Sequence, residues 1–260
     1  FCRSLNNITD LLRTLSRFNE AEPICLQVLQ IIDDTIGQNN LDYTAALLET
    51  ANLYKMMNKF SQAEIYFLSA ISIYEVIVGE YHESYVKALV QLASLYRIIG
   101  RTDDAEPLYL KALSIYQKTT GVNSMGYADL LNDFALYFDE MGHYEQAELH
   151  YKKSLDITEA LKGNQDPNYA STLDNLANHY LLTGHVEKAE PIFIEAAKIR
   201  KERLGSKHPL YAASLNNVAN LYESTGRISE AKVMYTEAIL SLIHISEPTR
   251  LRRISYAVFC

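Results

Sequence analysis

The chain has no tryptophan, few glycines and prolines, and only three cysteines among its 260 residues. The scarcity of glycine and proline, with 48% hydrophobic and 22% charged residues, suits a soluble, helix-rich protein. Cys2, Cys25 and Cys260 are odd in number and lack metal-ligand spacing, so they imply no disulfide framework. No apolar run is long enough to span a bilayer, which argues against a membrane partner.

The sequence also lacks the motifs that carry common chemistry. It contains no P-loop, no dinucleotide glycine fingerprint, no HExxH and no nucleophile elbow. We therefore expect no enzymatic activity, no cofactor and no metal site. A net charge of −8 argues against a nucleic-acid partner, because phosphate neutralisation needs a basic face.

What the sequence does contain is an internal repeat of 42 residues. Several independent columns keep this step. One column consists of alanines, and two others consist of glycines: Ala21, Ala63, Ala105, Ala147, Ala189 and Ala231; Gly100, Gly142, Gly184 and Gly226; and Gly37, Gly79, Gly121, Gly163 and Gly205.

Within each repeat, apolar residues follow helical spacing twice. An aromatic residue such as Tyr169 opens the first helix, and large and small apolar positions then fall on one face. Glycine between the helices suits a left-handed residue. The segment at 61–64 predicts a capping box, and Pro23, Pro107 and Pro191 predict first-turn positions. The pattern predicts an all-α fold, a right-handed superhelical α-solenoid of antiparallel helix hairpins.

The segments at 215–222, 189–191 and 204–209, together with Gly226, carry a family resemblance. They resemble the tetratricopeptide repeat in its 42-residue, kinesin-light-chain-like form. The resemblance covers six repeats, at 1–42, 43–84, 85–126, 127–168, 169–210 and a truncated 211–239. It implies a scaffold for protein–protein interaction in which first helices line a concave groove that holds a peptide.

Residues 240–260 do not follow the repeat. The isoleucine column becomes Ser241 and the glycine column becomes Glu247. The segments at 240–250 and 254–260 resemble translated sequencing-adaptor DNA, so we interpret the tail as non-native and exclude it from functional reasoning. The alternative is a divergent C-terminal capping segment, which should keep the hydrophobic phase.

The predicted binding residues lie on the first helices, opposite the core face. Asparagine is a poor helix former, and its amide can clamp the backbone of an extended peptide because it both donates and accepts. The alternative is that these amides join neighbouring hairpins. The predicted groove consists of Asn7, Asp10, Asn52, Lys55, Lys87, Gln91, Arg97, Asp133, Asn175, Asn178, Asn217 and Asn220.

Charge is uneven along this predicted groove. Repeats 1 to 3 offer cations, among them Arg13, Lys55 and Arg97, whereas repeat 4 offers Asp133 and Glu140. One hypothesis is that the N-terminal half prefers acidic peptide segments and that a basic segment follows over repeat 4. The alternative is that these are solvated charges.

The histidines and acidic pairs repeat in step and do not form a catalytic constellation. His143 and His185 follow turn glycines, and His82 and His208 share a loop column. We therefore predict a protein- or peptide-binding scaffold. Alternatives are a regulatory arm of a larger enzyme, with a nucleotide-binding or protease domain elsewhere in the chain, and a self-associating structural array. We expect a cytoplasmic location, and a fragment whose natural N-terminus is missing, since the sequence begins at Phe1.

Overall fold

A computed structural model describes residues 8–9, 11–13, 17–119 and 122–246, with side chains up to residue 242. Every regular element in these ranges is an α-helix, which confirms the predicted all-α fold. Besides the short helical stretches at 8–9 and 11–13, the described helices are α1 (Phe18–Ile36), α2 (Leu41–Met56), α3 (Phe60–Ile77), α4 (Glu83–Ile98), α5 (Thr102–Thr119), α6 (Met125–Glu140), α7 (Tyr144–Lys162), α8 (Pro167–Leu182), α9 (Val186–Leu204), α10 (Pro209–Ser224) and α11 (Ile228–Ser246).

The chain divides into two compact units. Unit 1 is Phe1–His143 and contains α1 to α6, and unit 2 is Tyr144–Cys260 and contains α7 to α11. Within unit 1 the hairpins are α2–α3 and α4–α5, and within unit 2 they are α8–α9 and α10–α11. Each hairpin packs on its neighbour in the same unit.

The small columns lie where helices approach each other closely. Ala63 and Ala105 in unit 1 and Ala189 in unit 2 are fully buried. Next to them, large side chains fill the space between hairpins. In unit 1, Tyr109 of α5 stacks on Phe134 of α6 with ring centroids 5.2 Å apart. These contacts confirm that the predicted columns form the core.

The first helices begin two residues before the aromatic column, not at it. Side-chain caps at one loop position fix the start: Asn40 accepts from the backbone N–H of Tyr43 at 2.8 Å, and Asp166 accepts from that of Asn168 at 2.9 Å. Such a cap satisfies an N–H that the helix itself cannot pair. His82 caps α4 in the same way, accepting from the N–H of Ser84.

Two predictions about the second helices are wrong. Helix α3 begins at Phe60 after Lys59, which makes no side-chain cap, so Ser61 lies inside the helix and forms no capping box. Pro23 lies in the second turn of α1, which begins at Phe18, and omits one helical hydrogen bond. Pro107 and Pro191 lie equally deep in α5 and α9. The reason is the left-handed turn residue, with φ of 77° at Gly100, after which the next helix begins within two residues.

Helix α11 continues through residues 240–246, so the repeat's helix does not end at residue 240. The hydrophobic phase does change there. Ser241, in the isoleucine column, is buried, and its hydroxyl has no hydrogen-bond partner within the described ranges. Leu240 is 58% exposed. The rest of the predicted non-native tail, 247–260, lies outside the described residues.

Candidate functional site

The described members of the predicted groove lie on first helices of both units. In unit 1, α2 carries Asn52 and Lys55, α4 carries Lys87, Gln91 and Arg97, and α6 carries Asp133. In unit 2, α8 carries Asn175 and Asn178, and α10 carries Asn217 and Asn220. Asn7 and Asp10 lie outside the described residues. We call Asn52, Lys55, Gln91, Arg97 and Asp133, all partly buried, the polar face of unit 1.

Side chains from three successive first helices converge on this face. Lys55 and Arg97 both act electrostatically on Asp133, although Lys55 and Asp133 belong to repeats 2 and 4. Burial raises the pKa of Asp133 to about 6, against the opposing effect of the two cations. Burial also lowers the pKa of Lys55. Both side chains are partly buried, which is the physical cause of the two shifts.

Two cations of the predicted basic zone already have carboxylate partners. Arg13 forms an ion pair with Glu49 on α2, and Arg97 forms one with Glu140 at the end of α6. The Arg97 side chain is only 13% exposed. The charges predicted to form separate basic and acidic zones therefore largely neutralise each other in unit 1. Lys87 points to solvent and is exposed.

Some buried polar atoms of unit 1 have no hydrogen-bond partner within the described part of the chain. They include Gln91 Oε1 and Arg97 Nε, both on the polar face, and the hydroxyl of the fully buried Tyr109. Native proteins pair almost all buried polar atoms, so these groups are exceptions. Arg97 and Tyr109 act on each other electrostatically, and both therefore lie in the same shielded part of unit 1.

The asparagines of unit 2 differ in their surroundings. Asn217 lies beside Asp174 and offers it a hydrogen bond, which opposes the rise that burial causes in the pKa of Asp174. Asn220 accepts from the Tyr235 hydroxyl at 2.6 Å. Asn178 is exposed, and Asn175 is partly buried. Asn217 thus joins neighbouring hairpins and Asn220 joins the two helices of one hairpin, whereas Asn178 is open to a ligand.

Asp174 belongs to a buried polar group that the sequence analysis did not single out. Arg200 of α9 forms an ion pair with Asp174 and also donates to Ser214 on α10 and Ser171 on α8. Both ion-pair partners are less than a tenth exposed. The sequence signal was an arginine in a column that holds Ile32, Tyr74, Tyr116 and Thr158 in the preceding repeats.

A second missed feature joins neighbouring hairpins near their turns. In unit 1, Glu64 of one hairpin accepts from the Tyr96 hydroxyl at 2.7 Å and from Arg101 at 2.8 Å, and the Arg101 guanidinium lies 4.2 Å from the Tyr96 ring centroid. In unit 2, Arg227 likewise contacts Glu190 and Tyr222. The recurrence of glutamate at 42-residue steps was the signal that could have revealed this contact.

The remaining candidates for chemistry have structural roles. His208, like His82, caps a helix, and His185 contacts the hydroxyl of Thr183 at 3.1 Å. Asp104 forms an ion pair with Arg101. In the part of the chain that the structure describes, no group of three or more histidine, cysteine or acidic residues could hold a metal ion.

The repeat period, the hairpins and the core columns are those of a known family. The family profile described as Tetratricopeptide repeat matches residues 1–75, 84–160, 150–202 and 168–239. The chain belongs to the tetratricopeptide repeat family. Repeats of this family suggest a scaffold for protein interaction and are typically not catalytic. No match was found among curated proteins.

Solved structures similar to this tetratricopeptide repeat chain include the following three. BtubC (BKLC) from P. vanneervenii is 21% identical, with 96% of this chain and 98% of that chain covered and a TM-score of 0.66. A Rap protein in complex with Competence and Sporulation Factor is 17% identical, with 94% and 76% covered and a TM-score of 0.68. Repeats of a Podosopora anserina kinesin light chain are 17% identical, with 95% and 97% covered and a TM-score of 0.43.

None of the helices in the described ranges is both long enough and apolar enough to cross a membrane.

Proposed function

We propose that the chain is a non-catalytic scaffold that binds an extended segment of a partner protein in the groove lined by its first helices. The observation that carries the proposal is the convergence of Lys55, Arg97 and Asp133, from α2, α4 and α6, on one shielded face that retains unpaired polar atoms.

Two further facts support this function. A fold neighbour, the Rap protein, was crystallised with Competence and Sporulation Factor bound, so the fold can carry a bound factor. Asn52 lies one turn before Lys55 on α2, where its amide can pair with a peptide backbone. We also propose a cytoplasmic location, because the buried free thiol of Cys25 suits a reducing compartment.

The proposal is tested with peptides selected by this protein from a phage-displayed random library. We expect micromolar affinity, about −8 kcal/mol, because the polar face offers a small number of contacts. Asn52→Ala should weaken the selected peptides by several-fold, about 1 kcal/mol, through the loss of one pair of hydrogen bonds. Fluorescence polarisation measures the change in Kd.

Asn19→Ala is the matched control. Asn19 is exposed on α1, which is the second helix of repeat 1, and lies away from the polar face. Equal Kd values for wild type and both variants, or a larger loss with Asn19→Ala, would place peptide binding elsewhere on the molecule and overturn the proposal.

A further inference from the structure

Helix α9 of repeat 5 differs from the other second helices at three neighbouring positions, Ala197, Lys198 and Lys201. In the four preceding repeats the position of Ala197 holds a large aliphatic residue: Leu29, Ile71, Leu113 and Leu155. The position of Lys198 holds Gln30, Ser72, Ser114 and Asp156, and that of Lys201 holds Asp33, Glu75, Gln117 and Glu159. Within about one helical turn, repeat 5 thus lacks a large apolar side chain and carries two cations in place of neutral or acidic residues.

The small side chain of Ala197 leaves a slot in unit 2. Leu29 and Leu155 are buried in their own repeats, so a large side chain at this position fills space between helices. Beside Ala197 there is instead an open cavity of about 340 Å³. Helices α9 and α11 form its walls, and α10 forms its floor. The floor residues are Tyr211, Leu215, Val218 and Tyr222.

The slot is apolar at one end and charged at the other. Tyr211 and Tyr222 lie eleven residues apart on α10, which corresponds to about 16 Å along a helix. The Lys201 ammonium lies 5.3 Å from the ring centroid of Tyr211, and Glu237 accepts from the Tyr211 hydroxyl at 2.7 Å. The charged residues therefore lie at the Tyr211 end. Ile194, seven residues before Lys201 on α9, lines the slot about 10 Å farther along.

The charged end offers one cation that no other residue neutralises. Lys201 forms an ion pair with Glu237 at 3.3 Å. Lys198 is exposed at the rim, and no residue within the described ranges forms an ion pair with it. Its helix neighbours Glu195 and Glu202 do not line the slot. The lining therefore carries one net positive charge, at the end of an apolar floor.

We infer that this slot binds a medium-chain aliphatic carboxylate, such as an eight-carbon fatty acid. Its carboxylate pairs with Lys198 and Lys201, and its chain lies over Val218 toward Ile194. At about 1.5 Å per carbon–carbon bond, a chain of eight carbons spans at most about 11 Å and fits within the slot. The inference goes beyond the proposed function, because the slot lies between second helices and not in the groove of the first helices.

The charges of the lining favour a monoanion with an apolar chain. A phosphate group carries close to two negative charges at pH 7, and Glu237 at the same end would repel it. A neutral chain would gain nothing from Lys198. An apolar lining with a few charged groups at one place is also the usual form of a site for a small organic ligand.

The test is a titration of the whole chain with sodium octanoate, followed by methyl NMR. We expect saturable shifts of the Met234, Val218 and Leu215 methyl signals, with a Kd on the order of 1 mM for a ligand of this size. Methyl signals of unit 1 should not show saturable shifts. The alcohol 1-octanol, which has the same chain without the charge, should bind at least threefold more weakly.

Two variants separate the contributions of shape and charge. Ala197→Leu restores the side chain of the preceding repeats and fills the slot, so it should weaken octanoate binding at least tenfold without lowering the thermal midpoint. Lys198→Met should weaken octanoate to the affinity of 1-octanol and leave 1-octanol binding unchanged, because only the carboxylate interacts with the ammonium.

Matched controls make the same changes at exposed positions of α7: Ala160→Leu and Lys162→Met. Both should leave the Kd for octanoate within twofold of wild type. Unchanged octanoate binding in Ala197→Leu would overturn the inference, as would an equal loss in Ala160→Leu or equal affinities for octanoate and 1-octanol.

A second copy of the chain is the competing occupant of the slot. If octanoate does not bind, and Ala197→Leu converts a dimer into a monomer in analytical ultracentrifugation, the slot is an interface between copies and the inference is wrong. Binding of library peptides through Asn52 is measured separately, so either result leaves the test of the proposed function intact.

Discussion

Asp133 is a carboxyl group whose environment disfavours its charge. Burial raises its pKa to about 6, Asp129 adds repulsion, and Arg97 and Lys55 only partly compensate. In the unfolded chain an aspartate titrates near 3.9. Since the folded pKa is the higher one, the contribution of Asp133 to stability is full below about pH 4 and is lost as the pH rises through 6.

Asp133→Asn should therefore stabilise the protein at pH 7 and leave its stability near pH 4 little changed. At about 1.4 kcal/mol per pKa unit, and allowing for partial solvent contact, the gain at pH 7 is on the order of 1–3 kcal/mol. Urea unfolding at a series of pH values measures it. The control is Glu75→Gln, which replaces an exposed carboxyl and should leave the free energy of unfolding unchanged at both pH 4 and pH 7. A stability loss in Asp133→Asn at pH 7 would show that the ion-pair contribution exceeds the burial cost.

At the residue scale, the sequence predicted which side chains lie on the polar face better than it predicted their ion pairs and pKa values. It placed Lys55, Arg97 and Asp133 on one face of the first helices, because helical spacing is local. It did not predict that Arg97 pairs with Glu140, 43 residues away, or that the pKa of Asp133 is raised. Pairing and burial depend on which repeats meet in space, and this is not encoded in any single repeat.

At the scale of one element, α11 shows what happens when a helix continues while its core pattern stops. Ser241 takes the isoleucine position, and its buried hydroxyl is unpaired within the described ranges. A buried hydroxyl without a partner costs about 1–3 kcal/mol, and the isoleucine it replaces would bury more apolar area. The helix therefore continues at residue 241 although the core residue of the repeat is absent there.

Ser241→Ile should accordingly raise stability by about 1–2 kcal/mol, because it restores the column and removes the unpaired hydroxyl. Ser241→Ala removes the hydroxyl without filling the space and should give a smaller gain. Differential scanning calorimetry compares the three proteins. If Ser241→Ile melts below Ser241→Ala, the site around residue 241 is too crowded for the repeat's own side chain.

Element boundaries show the limit of reading caps from sequence. The residues at 61–64 match a capping box, yet the left-handed Asn58, with φ of 57°, ends α2 and the next helix begins at Phe60. Helix starts were instead encoded in the loop column that Asn40 and Asp166 share, whose members cap the first helices. A capping motif works only where the preceding turn ends. The residue types at 61–64 by themselves therefore predicted the start of α3 at the wrong position.

At the scale of the whole molecule, the repeat architecture predicts that a substitution destabilises only the repeats near it. Stability in such arrays is approximately a sum of repeat and nearest-neighbour terms. Arg200 links α8, α9 and α10 in unit 2 through Asp174, Ser171 and Ser214. Removing it leaves the Asp174 carboxylate buried without its cation.

Arg200→Met should destabilise α8 to α10 by about 3–5 kcal/mol, the usual cost of breaking a buried ion pair from one side. Hydrogen exchange followed by mass spectrometry should show faster exchange there and unchanged protection in α2 to α5. Lys198→Met, an exposed change on the same helix α9, is the control. A uniform loss of protection over both units would show that they unfold cooperatively. It would contradict the prediction that the destabilisation stays within α8 to α10.

The sequence by itself determined the 42-residue period, the helical class, the buried alanine and aromatic columns and the left-handed turns. Each of these follows from short-range spacing repeated several times, so neighbouring repeats confirm one another. Only the tertiary structure decided which polar groups find partners: Arg13 with Glu49, Arg97 with Glu140, and Arg200 with Asp174. Those outcomes depend on distances between different hairpins and on shielding from water, which arise only when the hairpins stack.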